Sequence, residues 1–548
     1  MTITISASHA HLGQNATPAV VAALSALREA GGGTLLFEKG EYHFYSEGSE
    51  ARDLAVCNNA MGMRQVVFSL RGMNGITVDG GGSRFIIHEK VFPFACEGCV
   101  DLTIRNIYFD RGMAPHVQMR VKNITAEGFD LAIDRTASPF RAENGSLIFR
   151  REWGEFSGKE RRLLLFGSDR VRTRFLFTGD CTDSCADLPV DFMWVNASEI
   201  PEGVHVTYRD VAGASPCLYE EGERIFAVPD GDRETSLLFL SDCENAKIEA
   251  VTVRQALGMG IIAQGCRNVT VKGFRTDYDE SAGGATTTVD AMHFVQCDGA
   301  LEICDCRVTH PCDDALNVHG VYTKLLWATQ STLLVKLMHK EQLGFCPYRA
   351  GDALRLIEES TLDVIGSFTV SDCSFEGESF DTILIRGTLE GTVTDAPALV
   401  ENPLRMPDLY LHDNEFYRYP YIRISGGGRI RIENNRMEYA KGALFLCDLS
   451  HFWYESGRIR DLVIRNNRMI RCADLGRSDD FISISVSGFS DADAPKIHQR
   501  IEIRDNVFEG LDGYAVTAGG VRELILRNNR CEGRSDLPIL VDNQAQTC

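Results

Sequence analysis

Short runs of alternating apolar and polar residues recur along this chain, and many of them break at an asparagine. In CVDLTIRNIYFD, the residues Leu102, Ile104 and Ile107 point to one interior, and Asn106 interrupts the alternation. Asparagine tolerates a left-handed backbone and can bond its own main chain, so it suits a sharp bend between two short strands. Further asparagines in the same context are Asn414, Asn435, Asn467, Asn506 and Asn529.

These units repeat at a nearly regular interval. Asn245 in SDCENAKIEAVTV and Asn268 in QGCRNVTVKGF lie 23 residues apart. The C-terminal intervals are 21, 32, 39 and 23 residues, so two of those units carry inserted loops. A β-rich period in the twenties predicts a solenoid in which each repeat is one coil. Because parallel crossovers are almost always right-handed, we expect an all-β fold, a right-handed parallel β-helix.

Two stretches do not follow this repeat and contain longer alternating strands without the asparagine-marked bends. Strands of this kind, separated by polar turns, predict two inserted antiparallel β-barrel-like domains that border the central coils. The expected division is an N-terminal cap with the first coils (1–115), the first insert (116–235), the central coils (236–322), the second insert (323–398) and the C-terminal coils (399–548).

A helix is expected near the N-terminus, where AVVAALSALREA follows a Thr-Pro pair and precedes three glycines. Thr17 is the predicted N-cap, Pro18 the first helical residue, and Gly31 lies beyond the end. The end of a solenoid exposes unpaired backbone groups that need a cover. We therefore interpret this helix as a cap on the β-helix.

Charge and composition restrict the classes of partner. The chain has 44% hydrophobic and 24% charged residues, as in an ordinary globular protein, and a net charge of −21. Nucleic acid, anionic membranes and long polyuronate chains are bound through fields of Lys and Arg, so none of them is an expected partner. A neutral ligand is favoured, and the oligomeric state stays open, a dimer included.

The eighteen cysteines are scattered and lack the paired spacing of a zinc ribbon, which favours buried free thiols. The sequence MTITISASHAHLGQN has neither a basic nor an apolar signal region, and no apolar run reaches the roughly 18 residues of a membrane span. The expected location is cytoplasmic, or outside the cell if a signal has been removed.

Three aspartates carry the strongest chemical signal. Asp290 precedes Asp313 by 23 residues, one period, and Asp314 follows directly. Residues one period apart lie above one another in a solenoid, so the three carboxylates should share one face. Such a cluster suits glycoside hydrolysis, with one carboxylic acid protonating the leaving oxygen and another carboxylate activating water or attacking. The alternatives are turn residues that satisfy backbone N–H groups, or a calcium site on the coil.

Other polar and aromatic residues are candidates for substrate binding. His293, Asn317 and His319 stand close to the aspartates in sequence, for hydroxyl recognition or for tuning a carboxylate. Hydrogen-bonded residues at a coil corner would look the same. In CDLSHFWYESG, Trp453 offers a flat face for a sugar and Glu455 an acceptor for hydroxyls, although both could instead pack a loop. No HExxH or comparable spacing supports a metal site.

The motifs TTTVDAMHF and CDDALNVHGVY, with GGGTLLFEKGEYHF upstream and WYESG and RDLVIRNNRM downstream, resemble glycoside hydrolase family 110. That family comprises α-1,3-galactosidases that remove terminal galactose from blood-group-B-type and linear glycans. The resemblance implies a right-handed β-helix with inserted barrels, an inverting reaction without cofactor, and catalytic roles for Asp290, Asp313 and Asp314. By a further likeness to polygalacturonases, Asp313 would be the acid and the other two would hold the water.

Other reactions and a non-enzymatic role remain open. A galacturonan hydrolase would need to bind a polyanion with an acidic surface. A lyase would need an Arg or Lys base, and neither residue occurs between Asp290 and Leu301. A sugar-binding stalk or adhesin would not need three carboxylates one coil apart.

Inversion calls for an acid and a base about 6.5–9.5 Å apart, against about 5–5.5 Å for retention.

Overall fold

The computed structural model describes residues 1–11, 13–125, 127–157, 161–166, 171–178, 192–209, 221–228, 233–278, 284–391, 397–446, 453–472, 482–486, 496–511, 513–541 and 546–547. Within these residues the chain forms a right-handed parallel β-helix with two closed barrels attached, so the predicted fold class is confirmed.

Two long, largely parallel sheets form the sides of the β-helix, with Glu50–Leu54 antiparallel to Gly62–Arg71. The longer, which we call the back sheet, consists of Thr2–Ile5, Gly33–Phe37, Glu41–Phe44, Ile76–Ile87, Thr103–Arg111, Glu244–Val253, Arg267–Lys272, Arg275–Thr276, Asp298–Cys304, Arg307–Thr309, Asp408–His412, Glu415–Tyr417, Arg429–Glu433, Arg436–Glu438, Asp461–Arg465, Arg468–Ile470, His498–Arg504, Val507–Glu509, Val521–Arg527, Arg530–Glu532 and Gln546–Thr547.

The other sheet, which we call the site sheet, consists of Glu50–Leu54, Gly62–Arg71, Phe92–Glu97, Ser236–Ser241, Met259–Gln264, Met292–Val295, Leu316–Val321, Ile422–Ser425, Leu444–Leu446, Ile482–Val486, Tyr514–Ala518 and Ile539–Val541, with Glu455–Ser456 paired alongside. Between the sheets runs one continuous apolar core of inward-pointing side chains. Along the back-sheet strands buried and more exposed residues alternate, as in Asp408–His412, so the Val, Ile and Leu side chains of one face fill this core.

The strand register confirms the period read from the sequence. Ala246 pairs with Val269, 23 residues further along the chain. Asn268 Nδ2 donates to Asn245 Oδ1 over 3.0 Å, so these two marker asparagines are stacked one coil apart. Their backbones are left-handed, as is that of Asn106. At these coils asparagine is the bend residue, as predicted.

In the C-terminal coils the same expectation needs a correction. The left-handed residue is the one before each marker asparagine, namely Asp413, Asn434, Asn466, Asp505 and Asn528. The marker side chains instead point inward and bond to each other. The links, from side-chain amide to side-chain oxygen, are Asn414 to Asn435 (2.9 Å), Asn435 to Asn467 (3.0 Å), Asn467 to Asn506 (3.0 Å) and Asn506 to Asn529 (3.0 Å). We call this series the asparagine ladder.

The predicted cap is a helix over Thr17–Glu29, which is preceded by a short 3₁₀ turn at Ala7–His9. The assignment of Thr17 as N-cap is wrong: Ala16 occupies the cap position, Thr17 N donates to Asn15 Oδ1, and Thr17 Oγ1 donates to the carbonyl of Tyr45. Pro18 lies in the first turn, where its missing N–H costs nothing, and Gly31 beyond the end has a φ of +80°.

The first barrel is closed by Val117–Lys122, Gly128–Ala132, Arg161–Phe166, Val171–Thr178, Phe192–Ile200, Gly203–Arg209 and Arg224–Val228. Its described pairings are antiparallel except that Val171–Thr178 and Phe192–Ile200 run parallel. A small antiparallel sheet of Phe140–Glu143, Ser146–Arg151 and Gly154–Ser157 belongs to the same insert.

The second barrel is antiparallel and consists of Thr323–Ala328, Thr332–Lys336, Ala353–Glu358, Val364–Glu376, Thr382–Gly391 and Ala398–Glu401, with a 3₁₀ turn at Lys340–Gln342. Its apolar interior is continuous with Val295 and Val321 at the ends of two site-sheet strands. This contact fixes the barrel against the part of the site sheet that bears the aspartates. The sequence boundaries of the five segments stay predictions.

The thirteen described cysteines are free thiols, and most of them are buried, as expected from their scattered spacing. None of the described helices combines the length and the apolar character that a membrane crossing requires.

Candidate active site

The three aspartates converge at the entrance to two neighbouring strands of the site sheet. Asp290 precedes the strand Met292–Val295, and Asp313 and Asp314 precede Leu316–Val321 in the next coil. Ala291 N donates to the carbonyl of Asp314 over 2.9 Å, which stacks the two segments. One carboxylate oxygen from each aspartate lies within 4.8 Å of those of the other two. The shared face predicted from the 23-residue period is therefore present.

Two adjacent aspartates can reach one site only because the chain bends before the strand begins. His310 has a φ of +52°, and the residues from His310 to Ala315 form no regular strand. On a continuous strand, Asp313 and Asp314 would point to opposite faces. The bend removes that alternation and brings both side chains to the outer surface of the coil.

Burial and charge differ among the three carboxylates. The side chains of Asp290 and Asp314 are 6% exposed, whereas that of Asp313 is 19% exposed. Arg423 Nε lies 3.1 Å from Asp314 Oδ2, and an Arg233 guanidinium nitrogen lies 3.4 Å from Asp313 Oδ2. Asp313 is therefore the aspartate that an entering molecule meets first.

The electrostatic environment of Asp314 is strongly perturbed. Burial raises the pKa of its carboxyl well above the ordinary range; Arg423 opposes this, while the charges of Asp313 and Asp290 add to it. Its Oδ1 is buried and has no hydrogen-bond partner among the described residues. A buried acceptor without a partner is costly, so this oxygen marks where a water or a substrate hydroxyl is expected.

A chain of hydrogen bonds links Asp290 to the two histidines. His293 Nδ1 lies 2.6 Å from Asp290 Oδ2, His293 Nε2 lies 2.8 Å from His319 Nε2, and His319 Nδ1 lies 2.7 Å from the carbonyl of Gly320. The carbonyl can only accept, so His319 donates from Nδ1 and accepts at Nε2 from His293. One proton then lies between His293 and Asp290, and this pair carries no net charge.

Both imidazoles are held neutral. Burial lowers the pKa of His293 and of His319 to about 4, and the charge of Glu455 opposes this effect. Their side chains are at most 1% exposed. Of the two roles expected for His293, tuning of a carboxylate matches its contact with Asp290.

Glu455 enters the site from a distant loop. Glu455–Ser456 pairs antiparallel with the end of Leu316–Val321, which brings the carboxylate beside the histidines. Glu455 Oε1 accepts from Asn58 Nδ2 and Asn317 Nδ2, both at 3.4 Å, and lies 3.6 Å from His319 Nε2. Burial raises the pKa of Glu455, but its neighbours, His319 and Arg423 foremost, bring it below the ordinary value. Glu455 is thus an ionised acceptor.

Asn317 lies between the aspartates and Glu455. It pairs in register with His293 in the preceding coil and with Arg423 in the following one, so these side chains form one outward column. Its Oδ1 is buried without a hydrogen-bond partner among the described residues. Together with Asp314 Oδ1, it offers two unsatisfied acceptors to a hydroxyl-rich ligand.

Trp453 closes one side of the site. The Arg233 guanidinium carbon lies 4.8 Å from the centre of its ring system, and the His339 ring centroid lies 4.0 Å away. Gln342 of the second barrel donates to the carbonyl of Trp453 over 2.8 Å. The ring is part of a packed wall, and its stacking on a sugar stays a prediction. Residues 447–452 of the same motif lie outside the described residues.

The sequence reading missed Asn58, Arg233 and Arg423. Arg423 carried one usable signal, an arginine at an outward position of a predicted coil strand. Asn58 and Arg233 carried none, since they reach the site from segments far away in the chain. A hard cation such as Ca²⁺ could use three carboxylates at this distance, but the guanidinium groups already contact Asp313 and Asp314.

No protein-family model matches the sequence. The chain is similar over nearly its whole length to α-1,3-galactosidase B of Phocaeicola vulgatus, with 26% identity over 542 residues that cover 94% of this chain and 86% of that protein. The resemblance to the α-1,3-galactosidases is confirmed. Identity is 25% over 535 residues with α-1,3-galactosidase A of Shewanella woodyi (96% and 84% covered) and 27% over 559 residues with α-1,3-galactosidase B of Bacteroides fragilis (94% and 88% covered).

Among solved structures, a family 28 exopolygalacturonase of Yersinia enterocolitica matches with a TM-score of 0.44 and 11% identity, covering 100% of this chain and 78% of that one. Similarity at this level carries no information about the reaction.

Proposed function

We propose that this protein is an exo-acting glycoside hydrolase that removes terminal α-1,3-linked galactose from oligosaccharides or glycans. The observation that carries the proposal is the convergence of Asp290, Asp313 and Asp314 within 4.8 Å, on a chain similar along its length to α-1,3-galactosidases. Exo action is supported by burial: Asn317, His319 and Glu455 are at most 4% exposed, which suits the end of a glycan better than its interior.

Within this proposal Asp313 is the general acid. It is the most exposed of the three, so it faces the side from which the glycosidic oxygen arrives. The raised pKa of Asp314 favours a proton within the cluster, and in coupled carboxyls such a proton belongs to the cluster and not to one oxygen. Placing it on Asp313 when substrate is bound gives the leaving oxygen its proton.

Asp290 and Asp314 then hold the attacking water. Asp314 Oδ1 has no hydrogen-bond partner among the described residues and can accept one proton of a water. Asp290 accepts the other, since its proton is shared with His293 and can move toward the ring. The water loses its proton to this pair as its oxygen bonds to the anomeric carbon, while Asp313 protonates the departing oxygen. The galactose hydroxyls bind to Asn317 and Glu455, while His319, whose two ring nitrogens are already hydrogen-bonded to Gly320 and His293, orients His293.

This sequence of events inverts the anomeric centre. The separation of at most 4.8 Å between nearest oxygens is shorter than the range expected for inversion and close to that of retaining enzymes, about 5–5.5 Å. We propose inversion because a third carboxylate, unnecessary for a nucleophile and an acid, provides a second ligand for water. Proton NMR during early turnover decides: β-galactose as first product supports inversion, and α-galactose contradicts it.

The substrate is tested with a panel of linear Gal-α-1,3-Gal, the fucosylated B trisaccharide, Gal-α-1,4-Gal and oligogalacturonide. Release of galactose from one or both α-1,3 substrates is the expected result. Cleavage of oligogalacturonide alone would mean a polygalacturonase-like enzyme, and binding without cleavage would mean a glycan-binding protein. The cytoplasmic location expected from the sequence also stays a prediction, which cell fractionation can test.

A further inference from the structure

A cluster of three metal-ligating side chains lies on the back sheet, outside the carbohydrate site. Glu302 and Cys304 occupy alternate outward positions of the strand Asp298–Cys304, and His412 ends the neighbouring strand, in register with Cys304. One ligand atom from each lies within 4.8 Å of the other two. The aspartates stand on the site sheet, so the two clusters belong to different sides of the β-helix.

The ligand types match a borderline-soft divalent cation. A thiolate, an imidazole and a carboxylate are the protein ligands that zinc takes, with bond lengths of about 2.0–2.3 Å. With those bond lengths, two ligand atoms of a tetrahedral site lie about 3.5 Å apart. The ligand atoms of this cluster therefore need to approach one another by little more than about 1 Å. His412 Nε2 already lies 3.4 Å from Glu302 Oε1.

His412 is oriented as a metal-binding histidine would be. Its Nδ1 lies 2.7 Å from Asp413 Oδ2, and a carboxylate at this distance accepts a hydrogen bond from Nδ1–H, which leaves Nε2 with a free lone pair toward Glu302 and Cys304. The ring also stacks on Tyr410 at 3.9 Å. A carboxylate behind a histidine ligand is the usual outer support of a zinc site.

The charge around the cluster favours a cation. Glu302 and Asp413 are negative, and Asp305 follows Cys304 at the end of the strand. The nearby Lys272 Nζ lies 3.7 Å from Asp305, to which it is paired. Cys304 is 4% exposed, whereas the Glu302 side chain is 44% exposed, so the cluster opens to solvent on the Glu302 side.

We propose that Glu302, Cys304 and His412 bind one zinc ion, with water in the fourth position. The ion would join the coil strand before the second barrel to the coil strand after it. Binding releases the thiol proton to solvent, and the ion stabilises the folded chain because the unfolded chain lacks the site. This proposal is independent of the carbohydrate reaction.

The test uses the full-length, tag-free protein after treatment with a chelator. Titration with Co²⁺ should give a thiolate-to-cobalt charge-transfer absorption that saturates at one ion per chain, and Zn²⁺ should abolish it. Cys304→Ser should lose the band, and His412→Ala and Glu302→Gln should weaken binding at least tenfold. Cys531→Ser, at another buried thiol of the back sheet, is the matched control and should keep the band.

Two further readouts keep the result interpretable. Zn²⁺, unlike Mg²⁺ or Ca²⁺, should raise the Tm of the wild type but not that of Cys304→Ser. Galactosidase activity should be unchanged in all four variants, which also shows that they fold. The proposal is overturned if Co²⁺ gives no saturable binding up to about 1 mM, or if folded Cys304→Ser binds as the wild type does.

Discussion

Arg423 is the residue whose removal tests the electrostatics of the site most directly. Its Nε lies 3.1 Å from Asp314 Oδ2, and the side chains are 29% and 6% exposed. At an effective dielectric constant of about 20, a pair at this distance has an attraction of roughly 5 kcal/mol as an upper bound. Opposite charges this close lower a carboxyl pKa by about 1–3 units, so Arg423→Ala should raise the pKa of Asp314 by that amount.

The expected consequence is a shift of the pH–rate profile. Asp314 must be ionised to activate water, so the acid limb of kcat/KM should move up by about 1–3 pH units, with a loss of about tenfold per unit on the limb. The assay is hydrolysis of an aryl α-galactoside across pH. Arg429→Ala, an arginine with a 67% exposed side chain on the back sheet, is the control and should leave the profile unchanged.

Stability gives an independent check with a defined sign. The folded-state pKa of Asp314 lies above its unfolded value, so its contribution to stability is present at low pH and is lost as pH rises through the folded-state pKa. Without Arg423 the ionised form becomes costlier. The Tm of Arg423→Ala should therefore approach that of the wild type at acid pH and fall below it at alkaline pH. An acid limb in its original place, with activity reduced evenly at all pH values, would refute this reasoning.

Four further variants have defined expected results. Asp313→Asn should lose most of kcat, since an amide cannot protonate the leaving oxygen, while KM changes little in steady-state assays; near-normal turnover would contradict its role as acid. Trp453→Ala should lower kcat/KM, because the ring that packs on Arg233 is lost, while the Tm measured by differential scanning fluorimetry stays nearly unchanged. Glu455→Ala should lower both kcat/KM and the Tm, because it leaves the buried amides of Asn58 and Asn317 unpaired. Asn467→Ala should lower the free energy of unfolding measured in urea by about 2–4 kcal/mol, because it breaks the asparagine ladder on both sides. The enzyme kinetics of the folded fraction should stay normal. An unchanged urea midpoint would mean that the ladder does not stabilise the fold.

The sequence was most informative where a structural cause repeats. Every coil needs a bend and an apolar interior, so the period and the convergence of Asp290 with Asp313 could be predicted from spacing alone. It was less informative where two neighbouring residues can exchange roles. In pairs such as Asn466 and Asn467, either residue could take the left-handed backbone, and only packing inside the coil decides which one turns inward.

The charged partners of the aspartates could not be predicted because they come from different coils and inserts. Arg423 and Asp314 are separated in sequence by the whole second barrel. Arg233 follows the first barrel, and no local sequence pattern predicts which part of the coils that barrel contacts. The fit of Glu455 beside His319 depends likewise on a two-residue strand pairing that no periodicity marks.

The second barrel also has a consequence for the order of folding. The back-sheet pairing of Ala300 with Asp408 joins residues 108 positions apart, a long loop to close. Within the barrel, Thr323 pairs with Val400, so a barrel that forms first leaves an effective loop of about 31 residues. The entropy of closing the coil then falls by about 1 kcal/mol. We expect refolding intermediates in which this barrel is protected from hydrogen exchange before the coils on either side of it have stacked.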